Sequence, residues 1–328
     1  MPARRKVPSS VPELSAIRDA ASRVAAYIHR TPVFTSATLD ERAGASVFCK
    51  AENLQKVGAF KIRGAANAVF SLPDEAAAHG VATHSSGNHG AALALAARLR
   101  GIPAHVVMPD NASAAKRSAV AHYGARIREC RPGLASRERA LEALVAETGA
   151  TPVHPYDDAR VIAGQGTAAL ELLEQCPDLD ALMVPVGGGG LLSGTAIAGK
   201  GVKPGILIIG VEPRQADDAW QSLTTGKRVI VDSPDTVADG LRASLGELTF
   251  AVISKHVDEI VRVEEAAIIA AMRFVWERMK LVIEPSAAVP VAALLERATG
   301  VAGQRIGVIL SGGNVDLAAA LDIMESGA

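Results

Sequence analysis

Three features are scarce or missing in this sequence, and each absence argues against a class of protein. Cysteine is scarce: Cys49, Cys130 and Cys176 stand without the spacing of a metal site, which favours reduced thiols in a cytoplasm. An excess of one charge is missing, since 34 basic residues face 35 acidic ones, and this gives no reason to expect nucleic acid or a membrane surface as partner. No apolar run approaches the roughly 18 residues of a membrane helix. These absences agree with a soluble, cytoplasmic enzyme.

What is present is a regular alternation of strand and helix patterns. The 328 residues, 49% of them hydrophobic, are long for one domain and sufficient for a sizeable core. Ala-rich segments at 88–100 and 134–148 predict helices. Short apolar runs predict strands at 47–52, 81–84, 104–108, 125–130, 180–186, 206–212 and 305–310. This alternation predicts an α/β fold with parallel sheets.

Lys61 is the most informative single residue. It lies in the run GAFKIRG at 58–64, between Phe60 and Ile62. Burial in such apolar surroundings disfavours the ammonium form and lowers the lysine pKa. A neutral amine can attack an aldehyde, which suits Schiff-base chemistry. The alternative is an ordinary surface lysine whose stem packs on the protein while its amine stays in water.

Glycines after a buried strand predict an anion site. The apolar run 181–186 precedes four glycines at 187–190, and a helical segment follows at 191–200. Glycines let the backbone approach a phosphate closely, and a helix N-terminus adds unpaired N–H groups and a favourable dipole. The alternative is a tight turn without a ligand. A second turn, Ser-Gly-Gly-Asn at 311–314, follows another strand.

The glycine segment also resembles a dinucleotide site, although imperfectly. Gly188-x-Gly190-x-x-Ser193 nearly matches the glycine pattern of such sites, and Glu212 follows at the end of the next strand. An NAD-dependent dehydrogenase is therefore an alternative from another enzyme class, but it leaves Lys61 and Ser311 unexplained. A non-catalytic metabolite-binding protein is a third class, which the colour of a lysine-bound cofactor would exclude.

Seven segments in order resemble the fold-type II family of pyridoxal phosphate (PLP) enzymes, most nearly serine/threonine dehydratases and serine racemases. They are KAENLQKVGAFKIRGAANAV (50–69), THSSGNHG (83–90), VIAGQGT (161–167), VPVGGGGLLSG (184–194), EPRQADDAWQS (212–222), ERMKLVIEPSAAV (277–289) and LSGGNVDL (310–317). The resemblance implies a tryptophan synthase β-like fold with two domains, each a twisted parallel-type sheet flanked by helices. It implies a large domain at 1–79 and 155–328, a small domain at 80–154 that closes over the active site, and a homodimer.

The resemblance also assigns the cofactor site. Lys61 matches the Schiff-base lysine, Phe60 would pack behind the ring, Asn88 would bond the ring hydroxyl, and Ser311 would face the pyridine nitrogen. A hydroxyl at that nitrogen makes the ring a weaker electron sink, which favours elimination. The cofactor phosphate would lie on Gly187, Gly188, Gly189, Gly190 and Leu191.

Substrate and cation sites follow from the same resemblance. The turn of Ser85, Ser86, Gly87, Asn88 and His89 precedes a helix, so its N–H groups could hold a substrate carboxylate, although an ordinary helix cap would use the same atoms. Ser86 matches the residue that acts on the opposite face of the substrate in racemases. Glu212, the carbonyl of Ala216 and Asp218 match a divalent-cation site, and such oxygen ligands suit Mg²⁺ or Ca²⁺.

The expected reaction is elimination from a β-hydroxy-α-amino acid, with L-serine and L-threonine as default substrates. Lys61 would remove the α-proton as general base, and a 2-oxo acid and ammonia would be released. Racemase activity would accompany elimination if Ser86 acts as the resemblance implies. A 3-hydroxyaspartate dehydratase is the close alternative, and it would need a cation for the second carboxylate; Arg137 and Arg63 are the candidates.

Departures from the family pattern bear on the details. Val57, Gly58 and Ala59 replace the Thr-Gly-Ser that often precedes the Phe-Lys pair. Ala91 stands where animal serine racemases carry a Gln that helps bind an activating nucleotide, so nucleotide activation is not expected. Tyr156, where those racemases carry Asn, is more similar to bacterial dehydratases.

Overall fold

The computed structural model describes residues 11–85, 87–112 and 114–326. A six-stranded sheet has the order β1-β2-β10-β7-β8-β9. All its neighbouring strands are parallel except β1, which is antiparallel to β2. Its strands are β1 Val33–Phe34, β2 Ser46–Ala51, β7 Ala181–Pro185, β8 Leu207–Pro213, β9 Glu259–Val263 and β10 Arg305–Leu310.

A second, four-stranded sheet lies within the middle of the chain. It is entirely parallel and has the order β5-β4-β3-β6. Its strands are β3 Val81–His84, β4 Ala104–Pro109, β5 Arg126–Cys130 and β6 Thr151–Pro152. The sheet falls inside the predicted small domain, although the domain boundaries themselves stay a prediction.

Helices connect the strands of both sheets. They are α1 Leu14–Val24, α2 Ala37–Ala43, α3 Lys61–Phe70, α4 Asp74–Ala78, α5 Asn88–Arg100, α6 Ala114–His122, α7 Leu134–Thr148, α8 Ala159–Gln175, α9 Gly190–Val202, α10 Asp218–Thr225, α11 Glu247–His256, α12 Glu265–Phe274, α13 Pro285–Leu295 and α14 Leu317–Ser326. A π-helical turn, Val275–Met279, follows α12. In the part of the chain that the structure describes, no helix is long and apolar enough to cross a membrane.

The predicted α/β class and parallel sheets are confirmed. Every predicted strand is present within two residues of its expected bounds, and the predicted helices 88–100 and 134–148 coincide with α5 and α7. The central strand β7 is buried at every position, which explains its continuous apolar sequence. Strands β1, β6 and β9 were not predicted: two have only two residues, and β9 mixes charged and apolar residues at a sheet edge.

A buried ion cluster fixes the first turn of α3. Arg63 is fully buried and donates to both carboxylate oxygens of Glu52, at 2.7 and 2.8 Å, and to both of Glu171, at 2.8 and 2.9 Å. Lys50, also fully buried, donates to Glu171 at 2.8 Å. Two cations and two carboxylates thus neutralise one another, as burial requires. Because all its charge is used here, Arg63 is not available as a substrate cation, and that interpretation is wrong.

The cluster predicts a large loss of stability for Arg63→Met. The variant leaves Glu52 and Glu171 buried with too little positive charge, and breaking a buried pair in this way costs about 3–5 kcal/mol of unfolding free energy. Urea unfolding measures the loss. Arg30→Met is the control, because the Arg30–Glu174 pair is about half exposed on both sides and should contribute about 0–1 kcal/mol. Equal losses for the two variants would contradict the assignment.

Candidate active site

The carboxyl ends of four strands meet at one cleft. Lys61, Ser85, Gly187 and Ser311 follow β2, β3, β7 and β10 respectively, and all four residues line the cleft. Ligands of open α/β sheets bind at this edge, beyond the carboxyl ends of the strands. The cleft has a volume of about 460 Å³ and receives residues from both sheets. A cofactor and a small substrate could share a space of this size.

Lys61 is the first residue of α3, and its amine is held inside the cleft wall. Nζ donates to the carbonyl oxygen of Pro155 at 3.1 Å and lies 5.1 Å from the centre of the Phe60 ring. Burial lowers the lysine pKa to about 8, although the nearby Glu284 carboxylate opposes the shift. With this pKa, roughly one amine in ten is neutral at pH 7 and about half at pH 8, and the neutral form is the one that Schiff-base chemistry requires.

The glycine loop has a geometry that only glycines permit. Gly189 has φ of 86°, and α9 begins at the next residue. A Cβ on Gly188 would lie 2.4 Å from the ring of Tyr156. The loop can therefore bring its backbone close to an anion at the N-terminus of a helix. This geometry fits the phosphate of a PLP cofactor.

A chain of polar side chains lies at the cleft, close to Lys61. Asn314 Nδ2 donates to Asn88 Oδ1 at 3.0 Å, and Asn88 Nδ2 donates to both oxygens of Glu284 at 3.1 Å. Ser311 is buried, and its carbonyl oxygen accepts the N–H of Phe60 at 3.0 Å. Asn88 and Ser311 thus lie beside Lys61 with hydrogen-bonding atoms in the cleft, which suits a ring bearing a hydroxyl and a nitrogen.

The predicted substrate turn lies at the start of α5. Ser85 Oγ accepts the N–H of Gly87 at 3.2 Å. Among the described residues no side chain caps α5, so the N–H groups of its first turn are available to a carboxylate. His89 is buried, and burial lowers its pKa well below the ordinary value, so it is neutral. Ser86 lies outside the described residues.

Glu212 and Asp218 are buried away from the cleft. Glu212, at the end of β8, accepts the N–H of Trp220 at 2.8 Å, and Asp218, the first residue of α10, accepts that of Leu245 at 3.0 Å. Neither carboxylate forms a salt bridge with a described residue, and no described group of three or more acidic, His or Cys side chains surrounds them. Burial raises the pKa of Asp218 to about 7 and that of Glu212 well above its ordinary value. A cation would relieve the cost of burying both charges, so the pair fits one.

Three residues with roles in the cleft were missed or left without a role by sequence reasoning. Glu284 is buried against Asn88; its position in the EPSAAV segment was noted, but nothing in the sequence shows that its charge is buried. Tyr156 packs on the glycine loop. Arg137, a candidate only, lines the cleft, and its Nε is buried without a hydrogen-bond partner among the described residues.

Comparison with known proteins places the chain in a class. The model of the family "Pyridoxal-phosphate dependent enzyme" matches residues 24–312. The chain therefore belongs to the family of pyridoxal-phosphate dependent enzymes, and the predicted PLP cofactor is confirmed. Membership of this family accounts for the presence of both Lys61 and the glycine loop, whereas a dinucleotide site would leave Lys61 unexplained.

Individual relatives are similar over almost their whole length. A beta-hydroxyaspartate dehydratase of Paracoccus denitrificans is 50% identical, with 94% of this chain and 98% of that protein covered. A serine racemase of Arabidopsis thaliana is 49% identical, with 96% of each covered. Among solved structures, maize serine racemase superposes with a TM-score of 0.93 at 46% identity, covering 97% of this chain and 98% of that one.

Glu284 predicts a pH-dependent contribution to stability. Burial raises its pKa from 4.5 to about 7, so between these pH values the folded protein binds a proton that the unfolded chain has lost. The free energy of unfolding must then fall as pH rises through this window. Glu284→Gln lacks this titrating carboxyl, so its free energy of unfolding should fall less with pH. The stability of the variant relative to the parent should therefore increase as pH rises.

Urea unfolding of parent and variant across this pH range measures the difference. The matched control is Glu174→Gln, because Glu174 is half exposed and remote from the cleft; its profile should run parallel to that of the parent. A Glu284→Gln profile that also runs parallel would contradict the burial of a charge-bearing carboxyl at this position.

Proposed function

We propose that this protein is a PLP-dependent dehydratase, or ammonia-lyase, that converts a β-hydroxy-α-amino acid such as L-serine or L-threonine into a 2-oxo acid and ammonia. The observation that carries the proposal is a buried amine of lowered pKa, Lys61, facing a cleft that also holds an anion-binding glycine loop. Relatives named as dehydratase and ammonia-lyase support the lyase class.

The side chains divide the work of elimination. When bound, the cofactor supplies an aldehyde that amines take up and a ring that accepts electrons from the α-carbon. Lys61, whose lowered pKa makes its neutral amine more abundant than that of an exposed lysine, removes the α-proton from its own side of the cleft. The N–H groups at the start of α5 hold the substrate carboxylate.

Lys61→Ala tests the central role. The variant lacks the amine that binds the cofactor and takes the proton, so we expect a colourless protein whose ammonia release falls by about a thousandfold or more. Absorbance spectra and ammonia release from serine, threonine and 3-hydroxyaspartate measure both effects. Lys227→Ala, an exposed lysine outside the cleft, is the control. A yellow Lys61→Ala variant with near-normal turnover would exclude this mechanism.

A second candidate substrate is 3-hydroxyaspartate, favoured by Arg137. Its Nε is buried at the cleft and has no hydrogen-bond partner among the residues that the structure describes, and a buried donor without a partner is costly. A second carboxylate on the substrate would supply that partner. The relative named beta-hydroxyaspartate dehydratase supports this candidate.

Arg137→Met separates the two candidates. A hydrogen bond to a charged group contributes about 1.5–3 kcal/mol, so we expect kcat/KM for 3-hydroxyaspartate to fall by roughly 10- to 150-fold, with less than about a threefold change for serine. Arg139→Met on the same helix is the control, because Arg139 is exposed. A uniform loss on both substrates would assign Arg137 to architecture instead.

We further propose that Glu212, the carbonyl of Ala216 and Asp218 bind Mg²⁺ or Ca²⁺. The two buried carboxylates lack a described counter-charge, and Ala216 is buried two residues before Asp218. Removing the cation should destabilise the fold, since the two charges would again face each other in a buried site. Chelation should lower the melting temperature of the parent, and added cation should restore it. An Asp218→Asn variant should show a much smaller response; an equal response in parent and variant would refute the site.

The remaining expectations belong to the same proposal. On the basis of the sequence, we propose that residues 80–154 form a small domain. We likewise propose that the protein is a homodimer in the cytoplasm. Relatives named serine racemase support accompanying racemisation through Ser86. Chiral analysis of residual serine with a Ser86→Ala variant tests that role, because unchanged interconversion of the enantiomers would exclude it.

A further inference from the structure

Thr249 lies at a junction between three parts of the molecule. It is fully buried on the first turn of α11 and does not line the cleft. Its hydroxyl accepts the N–H of Gly246 at 2.9 Å and donates to the carbonyl oxygen of Gly188 at 2.9 Å. Its backbone N–H donates to Asp157 Oδ1 at 3.1 Å. One side chain therefore joins the 245–249 segment to the glycine loop.

The bond from Thr249 fixes an N–H group of the glycine loop. The carbonyl of Gly188 and the N–H of Gly189 belong to one planar trans peptide and point in opposite directions. Because the carbonyl points at Thr249, the Gly189 N–H points away from Thr249. Contacts reinforce this orientation: a Cβ on Gly189 would lie 2.7 Å from Leu245 Cδ2 and 2.9 Å from Thr249 Cβ. The loop backbone thus rests directly on the 245–249 segment.

The same segment begins at the candidate cation site. Leu245 N–H donates to Asp218 Oδ2 at 3.0 Å in a buried position. A cation held by Asp218 would fix that carboxylate and, through the N–H, the start of the segment. Leu245, Gly246 and Thr249 then connect Asp218 with Gly188 through three buried hydrogen bonds.

A third connection leads toward Lys61. Asp157 accepts the N–H groups of Glu247, Leu248 and Thr249 at 2.9–3.1 Å, and so caps α11. Pro155, two residues before Asp157, accepts the Lys61 amine. The N-terminus of α11 is therefore tied to the cation site, the glycine loop and the turn that holds the lysine.

We propose that the 245–249 segment couples the cation site to the cofactor-phosphate loop, with the Thr249 hydroxyl as the positioning group. The inference rests on the proposed cation site. If a cation orders the segment, the Gly189 N–H is pre-oriented and the cofactor binds more tightly. Coupling between sites is reciprocal, so bound cofactor must tighten cation binding by the same factor.

The experiment measures cofactor affinity rather than turnover. Holoenzyme is dialysed to equilibrium against graded free PLP, once with chelator and once with saturating Ca²⁺, and bound PLP is read from its absorbance. Calorimetric titration with Ca²⁺ measures cation binding separately. For the parent we expect Ca²⁺ to tighten PLP binding by roughly 5- to 150-fold, the usual range of coupling between sites.

Variants at Thr249 locate the coupling. Thr249→Val keeps the shape but removes the hydroxyl, so the Ca²⁺ effect on PLP affinity should fall toward onefold while Ca²⁺ still binds. Thr249→Ser keeps the hydroxyl and should retain the effect. Thr236→Val is the matched control: Thr236 is also buried and its hydroxyl also donates and accepts a hydrogen bond, to Glu265 and from Ala238. It should keep the parent's full response.

Each outcome decides between the two proposals. Absent Ca²⁺ binding in the parent would overturn the cation site and this coupling with it. Ca²⁺ binding without any change in PLP affinity would overturn the coupling alone. A full response in Thr249→Val would show that Thr249 does not transmit it. If Thr249→Val does not fold, the parent and Thr249→Ser still test the proposal. Both should bind PLP more tightly when Ca²⁺ is added, and the absence of this effect in either protein would contradict the coupling.

Discussion

The free-energy cost of burying charged side chains is the constraint on which the rest of this structure depends. Charged side chains that serve only to stabilise the fold are paired with opposite charges: Arg63 and Lys50 pair with Glu52 and Glu171 in one buried cluster. Where the chain has chemistry to perform, cancellation is incomplete. The Lys61 amine donates to a backbone carbonyl and forms no salt bridge with a described residue. The carboxylates of Glu284, Glu212 and Asp218 are likewise buried without a salt bridge to a described residue. A buried ionisable group without a full partner has a shifted pKa and is a candidate for function.

Much of the fold and part of the site were predictable from sequence, for identifiable physical reasons. Buried parallel strands such as β7 are continuous apolar runs, and a loop whose backbone approaches an anion needs glycines. The strand and the glycine loop can therefore both be predicted from the sequence. Lys61 was visible because its neighbours are apolar. Strands β1 and β6 were not, because two residues carry no periodicity and their pairing depends on partners distant in the chain.

The residues that sequence reasoning missed or could not distinguish share one property: their role comes from contacts between distant segments. Arg63 and Arg137 are equally basic in the sequence, yet Arg63 is neutralised in the interior, while the Arg137 Nε is buried at the cleft with no partner in the described part of the chain. Nothing in the local sequence distinguishes Thr249. Its role depends on α11, which places its hydroxyl within hydrogen-bond distance of Gly188, 61 residues away in the chain. Glu284 becomes distinctive only when Asn88 and Lys61 lie beside it. Local pattern cannot show such pairings.

The most direct test of the account is to identify the lysine that holds the cofactor. Lys116 also lines the cleft, but its side chain is about a third exposed and forms an ion pair with Asp239, whereas the buried Lys61 amine donates to a carbonyl oxygen. Borohydride reduction of the yellow holoenzyme, followed by proteolysis and mass spectrometry, fixes the cofactor on the lysine that carries it. We expect the label on the peptide containing Lys61 and on no other. A label on Lys116 would contradict the account.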